Sequence, residues 1–235
     1  MKIYLHLLAC LTFALLCCQR ANAIDFKQIG KQTVLFSYHS TESDIPANGV
    51  IIFGIKRAVV INPPSTGADV DAVFDWVEKY NRYVEYVVPQ HWHYDSSGGL
   101  PKALQRGARI IMLNTTQSML QQQAKTYPAI LFESRYRLRT DGLDIEIAFP
   151  GAGHSSDNVV VWIPHDGILF GGDLIRPLNA KDLGHTIDAN IKAWPKTLNN
   201  IKRDYSKAET VVPGHGTPGG LTLIDHTLEL LNANP

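Results

Sequence analysis

Four apolar runs of strand length each end in a loop that carries metal-ligating side chains, and this recurrence constrains the fold more than any other property of the chain. Tyr83–Val88 leads into Pro89-Gln90-His91-Trp92-His93-Tyr94-Asp95. Residues 143–149 lead into Pro150-Gly151-Ala152-Gly153-His154, residues 167–170 into Gly171-Gly172-Asp173, and residues 210–212 into Pro213-Gly214-His215-Gly216. β-branched and aromatic residues dominate the runs, as buried strands require. Sheets of α/β proteins place their sites at the C-terminal ends of strands. Glycines beside three of the four candidate ligand loops let the backbone turn sharply and approach a crowded centre. In the first loop His91, His93 and Asp95 stand at i, i+2 and i+4, so an extended segment would point all three to one side. The Ser96-Ser97-Gly98-Gly99 run after them reads as a tight turn into a helix. Alone, that loop also suits two partly exposed histidines beside a solvated aspartate; four such loops in one chain favour a bound ion. Imidazoles with carboxylates suit zinc or a similar transition metal.

The first 23 residues read as a secretory signal, with Lys2 before an apolar stretch and Ala21-Asn22-Ala23 as the cleavage site. The stretch is too short for a transmembrane anchor. Cys17-Cys18 hints at a lipoprotein signal, but Leu15-Leu16 lack the small residue such signals carry. All three cysteines, Cys10, Cys17 and Cys18, fall inside the leader, so residues 24–235 hold no thiol for a disulfide or a metal. Removing 23 residues from 235 leaves 212, enough for one domain with a substantial core. Loss of Lys2 and Arg20 leaves 20 basic against 22 acidic residues, a net charge of −2 and no basic footprint for nucleic acid. The expectation is one periplasmic or secreted domain, 24–235, without membrane or nucleic-acid partners and acting as a monomer.

Along that domain, Thr33–Tyr38 reads as a strand, 39–49 as a polar loop, and 50–55 with 57–62 as a hairpin. Residues 69–80 repeat Val70, Val73, Phe74 and Val77 at helical spacing. Further helices are expected at 100–106, 115–125, 187–201 and 221–232, and strands at Arg109–Leu113, 159–163 and 167–170. Helices and strands alternating in two halves, with hairpins between, imply an α/β fold: an αββα sandwich of two mixed β-sheets packed face to face, helices on the outer faces.

Several motifs together resemble the metallo-β-lactamase superfamily, and within it the two-zinc subclass of class B β-lactamases. They are Pro46-Ala47-Asn48-Gly49, His91-x-His93-x-Asp95 with Gly98-Gly99, Gly151-x-Gly153-His154-x-x-Asp157-Asn158, Leu169-Phe170-Gly171-Gly172 and Pro213-Gly214-His215-Gly216. The resemblance implies a two-zinc enzyme that opens the ring of a small β-lactam substrate by attack of a metal-bound hydroxide. It implies His91, His93 and His154 at site one and Asp95, Asp173 and His215 at site two. Asp95 would also be catalytic by orienting the hydroxide. Arg176 stands where the subclass has a lysine for the substrate carboxylate, and a structural ion pair is its rival reading. His185 replaces an asparagine near the β-lactam carbonyl; it either contacts substrate, with a catalytic role, or supports a ligand from behind. Asn62 replaces a supporting aspartate.

One departure bears on chemistry. The subclass has cysteine where this chain has Asp173; the wider superfamily, with its thioesterases and lactonases, has aspartate. Those relatives usually carry histidine directly after the motif aspartate, whereas Ser96 follows here. Hydrolysis of another ester, thioester or lactone is therefore the alternative. A non-catalytic zinc-binding protein is a third reading, opposed by six candidate ligands where a structural zinc site closes with four. A carboxylate at 173 hardens site two, which should hold zinc less selectively. Of the other histidines, His39 sits in the loop that flaps over substrate in the resembling family, His165 in a hairpin turn and His226 on the last helix. Trp92, between two candidate ligands, either joins the core or walls the site.

Overall fold

Alternation along the strands sorts the apolar residues onto two faces, and both faces are covered. The computed structural model describes residues 24–39 and 46–233. The signal segment and its three cysteines lie outside the described residues, as do 40–45 of the expected flap.

One sheet holds seven strands in chain order: β1 Asp25–Gln28, β2 Thr33–Tyr38, β3 Ala47–Phe53, β4 Arg57–Ile61, β5 Tyr83–Val88, β6 Arg109–Leu113 and β7 Ala129–Phe132. The first four pair antiparallel; β4 to β7 run parallel. The parallel crossovers carry α1 Gly67–Glu78, then α2 Tyr94–Ser97 with α3 Leu100–Gln105, then α4 Asn114–Gln122. The second sheet runs in the order β12-β11-β10-β9-β8, from β8 Arg135–Thr140, β9 Leu143–Ala148, β10 Val160–Ile163, β11 Ile168–Gly172 and β12 Thr210–Pro213. Only β11 and β12 are parallel, joined across α5 Trp194–Asp204; α6 Thr222–Ala233 closes the described chain.

The strand period of two makes the layers. Val50, Ile52, Val59 and Ile61 face Ile145, Ile147, Val161 and Phe170 of the other sheet in a central core. Their neighbours Ile51, Ala58 and Val60 face outward onto Val70, Val73, Phe74 and Val77 of α1. On the far side Val160, Leu169 and Val211 pack against Trp194, Leu198 and Ile201 of α5 and Leu223 of α6. This is the αββα sandwich. Each fully buried aliphatic side chain contributes about 1.5–3 kcal/mol. Exposed pairs such as Arg137–Asp144 are screened by solvent, so burial rather than charge holds the layers.

The expected halves turn out unequal, seven strands against five. Two strands were not anticipated: β7, four residues long and directly after Pro128, and β8, which alternates outward arginines at 135, 137 and 139 with Tyr136, Leu138 and Thr140. The polar loop expected at 39–49 gives way to β3 at Ala47. The helix expected at 187–201 starts at Trp194 instead, with Pro195 in its first turn, where the missing N–H costs nothing.

At the base of the sandwich, aspartates of the second sheet's hairpin turns cap turns of the first. Asp166 accepts from the Lys31 and Gln32 amides at 2.9 Å each and from the Thr33 hydroxyl at 2.6 Å. Asp141 accepts from the Lys56 and Arg57 amides, each at 2.7 Å.

Candidate metal centre

At the opposite rim the ends of β5, β9, β11 and β12 bring six side chains together. His91 and His93 follow β5. Asp95 does not continue an extended segment, as its spacing suggested, but sits in the first turn of α2. The helical turn still returns it to His91, with Nε2 to Oδ1 at 3.6 Å. Ser96 explains the tight loop. Its hydroxyl is fully buried and accepts from the Gln90 amide at 2.7 Å and from the His91 amide at 3.3 Å.

His154 arrives from the loop after β9, with Nε2 3.2 Å from His93 Nδ1 and 3.5 Å from Asp173 Oδ2. Asp173 follows a bulge at the end of β11, a device that re-aims side chains. Gly172 in that bend has φ +56, and a Cβ on Gly214 would lie 1.7 Å from Asp173 Oδ1. Glycine at 214 is therefore a condition for the carboxylate to stand there. His215 Nε2 lies 3.5 Å from Asp95 Oδ2 and 3.7 Å from Asp173 Oδ2.

Asn48 fixes the loop that carries His215. It is buried, its amide group donates to the Pro213 carbonyl at 3.0 Å and the Gly216 carbonyl at 2.7 Å, and its backbone N–H donates to the Gly214 carbonyl. Asn62, in the left-handed region at φ 55, donates to the Asn48 carbonyl in turn. The Pro46-Ala47-Asn48-Gly49 motif thus joins the first sheet to a ligand loop of the second.

The electrostatics suit a cation. Burial pushes His91 well below the ordinary histidine range and lowers His154 as well, so both stay neutral with a lone pair to donate. Burial alone would raise Asp95 and Asp173, but nearby imidazoles, His215 foremost, outweigh it and keep both carboxyls below their usual range. Neither ring nitrogen of His91 has a hydrogen-bond partner, and nor does Asp95 Oδ1, although all three atoms are buried. Such orphaned atoms cost about 1–3 kcal/mol each, a cost that an ion between them removes. His91, His93 and His154 form one group able to hold a metal; His91, Asp95 and Asp173 form another.

The sequence pattern described as the metallo-beta-lactamase superfamily matches residues 66–215. The chain belongs to the metallo-beta-lactamase superfamily. A metallo-beta-lactamase type 2 of Bacteroides fragilis is 33% identical over 189 residues, covering 80% of this chain and 76% of that protein. One of Bacillus cereus is 32% identical over 214 residues, covering 89% and 83%. Among solved structures, a metallo-beta-lactamase from Pontibacter korlensis superposes with a TM-score of 0.86 at 31% identity, covering 91% of this chain and all of that one.

The mouth of this metallo-beta-lactamase fold is a cleft of about 620 Å³ bordered by Trp92, Tyr94, Gln123, Arg176 and His185. Arg176 is buried, with Nε donating to the Asp182 carbonyl at 3.2 Å. Its terminal nitrogens lie against Gly184 at the cleft wall, and its ion pair with the exposed Asp182 is loose, at 3.9 Å. His185 is exposed on the rim beside His93, ring centroids 5.5 Å apart. Trp92 walls the cleft. His39 and His165 are exposed, and His226 bonds the Ala180 carbonyl away from the site. One site residue escaped the sequence reading. Asp188 lies in a loop without regular structure, and its Oδ2 contacts His93 Nε2 at 3.0 Å.

Proposed function

We propose that this protein is a zinc-dependent hydrolase that opens the β-lactam ring. The observation that carries the proposal is the convergence of six ligand-type side chains, two with orphaned buried atoms, in a superfamily fold whose relatives above are named metallo-beta-lactamases. His91, His93 and His154 hold a first ion and Asp95, Asp173 and His215 a second. Zinc there supplies Lewis acidity toward a carbonyl and lowers the pKa of water to about 7.

The protein's own groups do the rest. The buried, neutral imidazoles of His91 and His154 add no charge to the first site. Asp95 orients the attacking water by accepting its hydrogen. Arg176 binds the substrate carboxylate by giving up its loose pair with Asp182, since a guanidinium can hold a carboxylate bidentately. His185 donates a ring N–H toward the lactam carbonyl from the rim, and Trp92 and Tyr94 exclude water from one side. Asp173 hardens the second site, which fills after the first and holds zinc less selectively. The protein works in the periplasm or outside the cell as a monomer, after cleavage near Ala23.

Nitrocefin hydrolysis during a zinc titration tests the proposal. Turnover that rises with zinc and continues to rise beyond one equivalent supports it. No β-lactam hydrolysis by metal-loaded protein, with hydrolysis of a thioester or lactone instead, would favour the reading that Asp173 suggests and Ser96 opposes.

A further inference from the structure

Besides the two inner groups, one more group of metal-capable atoms converges among the described residues, sharing one member with them: His93, His185 and Asp188. A single oxygen is its centre. Asp188 Oδ2 lies 3.0 Å from His93 Nε2 and 3.8 Å from His185 Nε2. Ligands at about 2.0–2.2 Å from a tetrahedral zinc stand about 3.3–3.6 Å apart, which these two spacings bracket. The rings of His93 and His185 meet at 87° and do not stack, and one nitrogen of each lies within 4.8 Å of the other and of the Asp188 carboxylate. The group stands at the mouth of the cleft, where His185 and Asp188 are open to solvent and an ion can enter without disturbing the core. His93 has two faces: Nδ1 turns inward to His154, and Nε2 turns outward to Asp188.

We infer that His93, His185 and Asp188 form an outer site for a transition-metal ion of the zinc class, above the two inner sites and sharing His93 with them. On binding, the ion takes the lone pairs of His185 Nε2 and Asp188 Oδ2. His93 would reach the ion through Nε2, and any proton held there would pass to solvent. Two exposed side chains must be ordered to close the site, which weakens it by about tenfold or more relative to the pre-packed inner set. The outer ion also occupies the space between His185 and the inner centre that a substrate must cross. Excess zinc is therefore an inhibitor, and the site a brake set by metal supply. The inference rests on the proposed inner sites only through His93.

Equilibrium dialysis of the purified mature protein, residues 24–235 and so free of the leader's three cysteines, against buffered free zinc, with metal counted per chain by mass spectrometry, tests it. The parent is expected to hold two ions at low free zinc and a third at free zinc about tenfold or more higher. His185→Ala and Asp188→Ala, folded by circular dichroism, should both stop at two. If either variant still takes up the third ion at the parent's free zinc, the outer site is wrong. If the parent itself stops at two, it is equally wrong. Failure of the inner sites would appear separately, as fewer than two ions at low zinc. A measurement on the parent alone guards against misfolding. In spectra of ¹⁵N-histidine protein, the His185 ring nitrogens should shift only during uptake of the third ion. No shift at that step would overturn the assignment.

Discussion

Replacing Asn48 with alanine should weaken the second metal site without touching a ligand. The side chain makes three hydrogen bonds: it donates to the Pro213 and Gly216 carbonyls and accepts from the Ser37 hydroxyl at 2.8 Å. Each is worth about 0.5–1.5 kcal/mol net, so Asn48→Ala should cost about 3 kcal/mol. For a domain of this size that is a fall of about 6–12 °C in the melting midpoint of metal-free protein. The loop released is the one holding His215. If about 1.4 kcal/mol of the loss is felt there, zinc binds the second site about tenfold more weakly. Ser37→Ala is the control, since it removes one of the three bonds and leaves the loop clamped. It should cost about 1 kcal/mol and leave zinc affinity unchanged. Melting by circular dichroism gives the first quantity, and competition with a chromophoric chelator the second. If Asn48→Ala and Ser37→Ala match in both, the clamp does not exist.

Further expectations are direct. His93→Ala, still folded, should lose the first ion and hydrolyse nitrocefin at least about a hundredfold more slowly, as loss of a catalytic interaction of this kind does; a parental rate would remove His93 from the centre. Arg176→Ala should raise KM for a penicillin before it lowers kcat, a loss of uniform binding, and an unchanged KM would leave only its bond to the Asp182 carbonyl. Asp173→Cys should tolerate more EDTA before activity halves, because thiolate is the softer ligand; equal sensitivity at equal metal load would exclude 173 as a ligand. Metal-free protein should lose stability as pH falls below about 6.5, the unfolded histidine value, because His91 and His154 stay neutral in the fold while the unfolded chain gains protons. Urea midpoints at pH 7.5 and 5.5 check this, and equal values would contradict it.

The six candidate ligands were legible in the sequence because their signal is local: an apolar run, a turn, a histidine or aspartate. The sandwich was legible because helices and hairpins alternate in two halves, and because runs apolar on both faces, such as Val50-Ile51-Ile52-Phe53, need cover on both sides. What was missed depends on distance along the chain. Asp188 meets His93 across 95 positions, from a loop with no periodicity. Ser96 was weighed as an absent histidine; that its hydroxyl holds the Gln90 and His91 amides became apparent only once the backbone had turned back on itself. Strand β8 shows a readable alternation, but one whose outward face is arginine and whose partner β9 supplies the burial.

The two sheets contribute to the centre in a particular way. His91, His93 and Asp95 hang from the seven-stranded sheet, while His154, Asp173 and His215 hang from the five-stranded one. Each proposed ion thus draws ligands from both. Asp166 and Asp141 rivet the far end of the plates through backbone amides, and residues 24–235 contain no cysteine to rivet the near end. If the proposed ions bind, they add to the Asn48 clamp at that rim. Metal and fold are then linked: stripping the metal should loosen the rim, and the lifetime of the protein should fall together with its turnover.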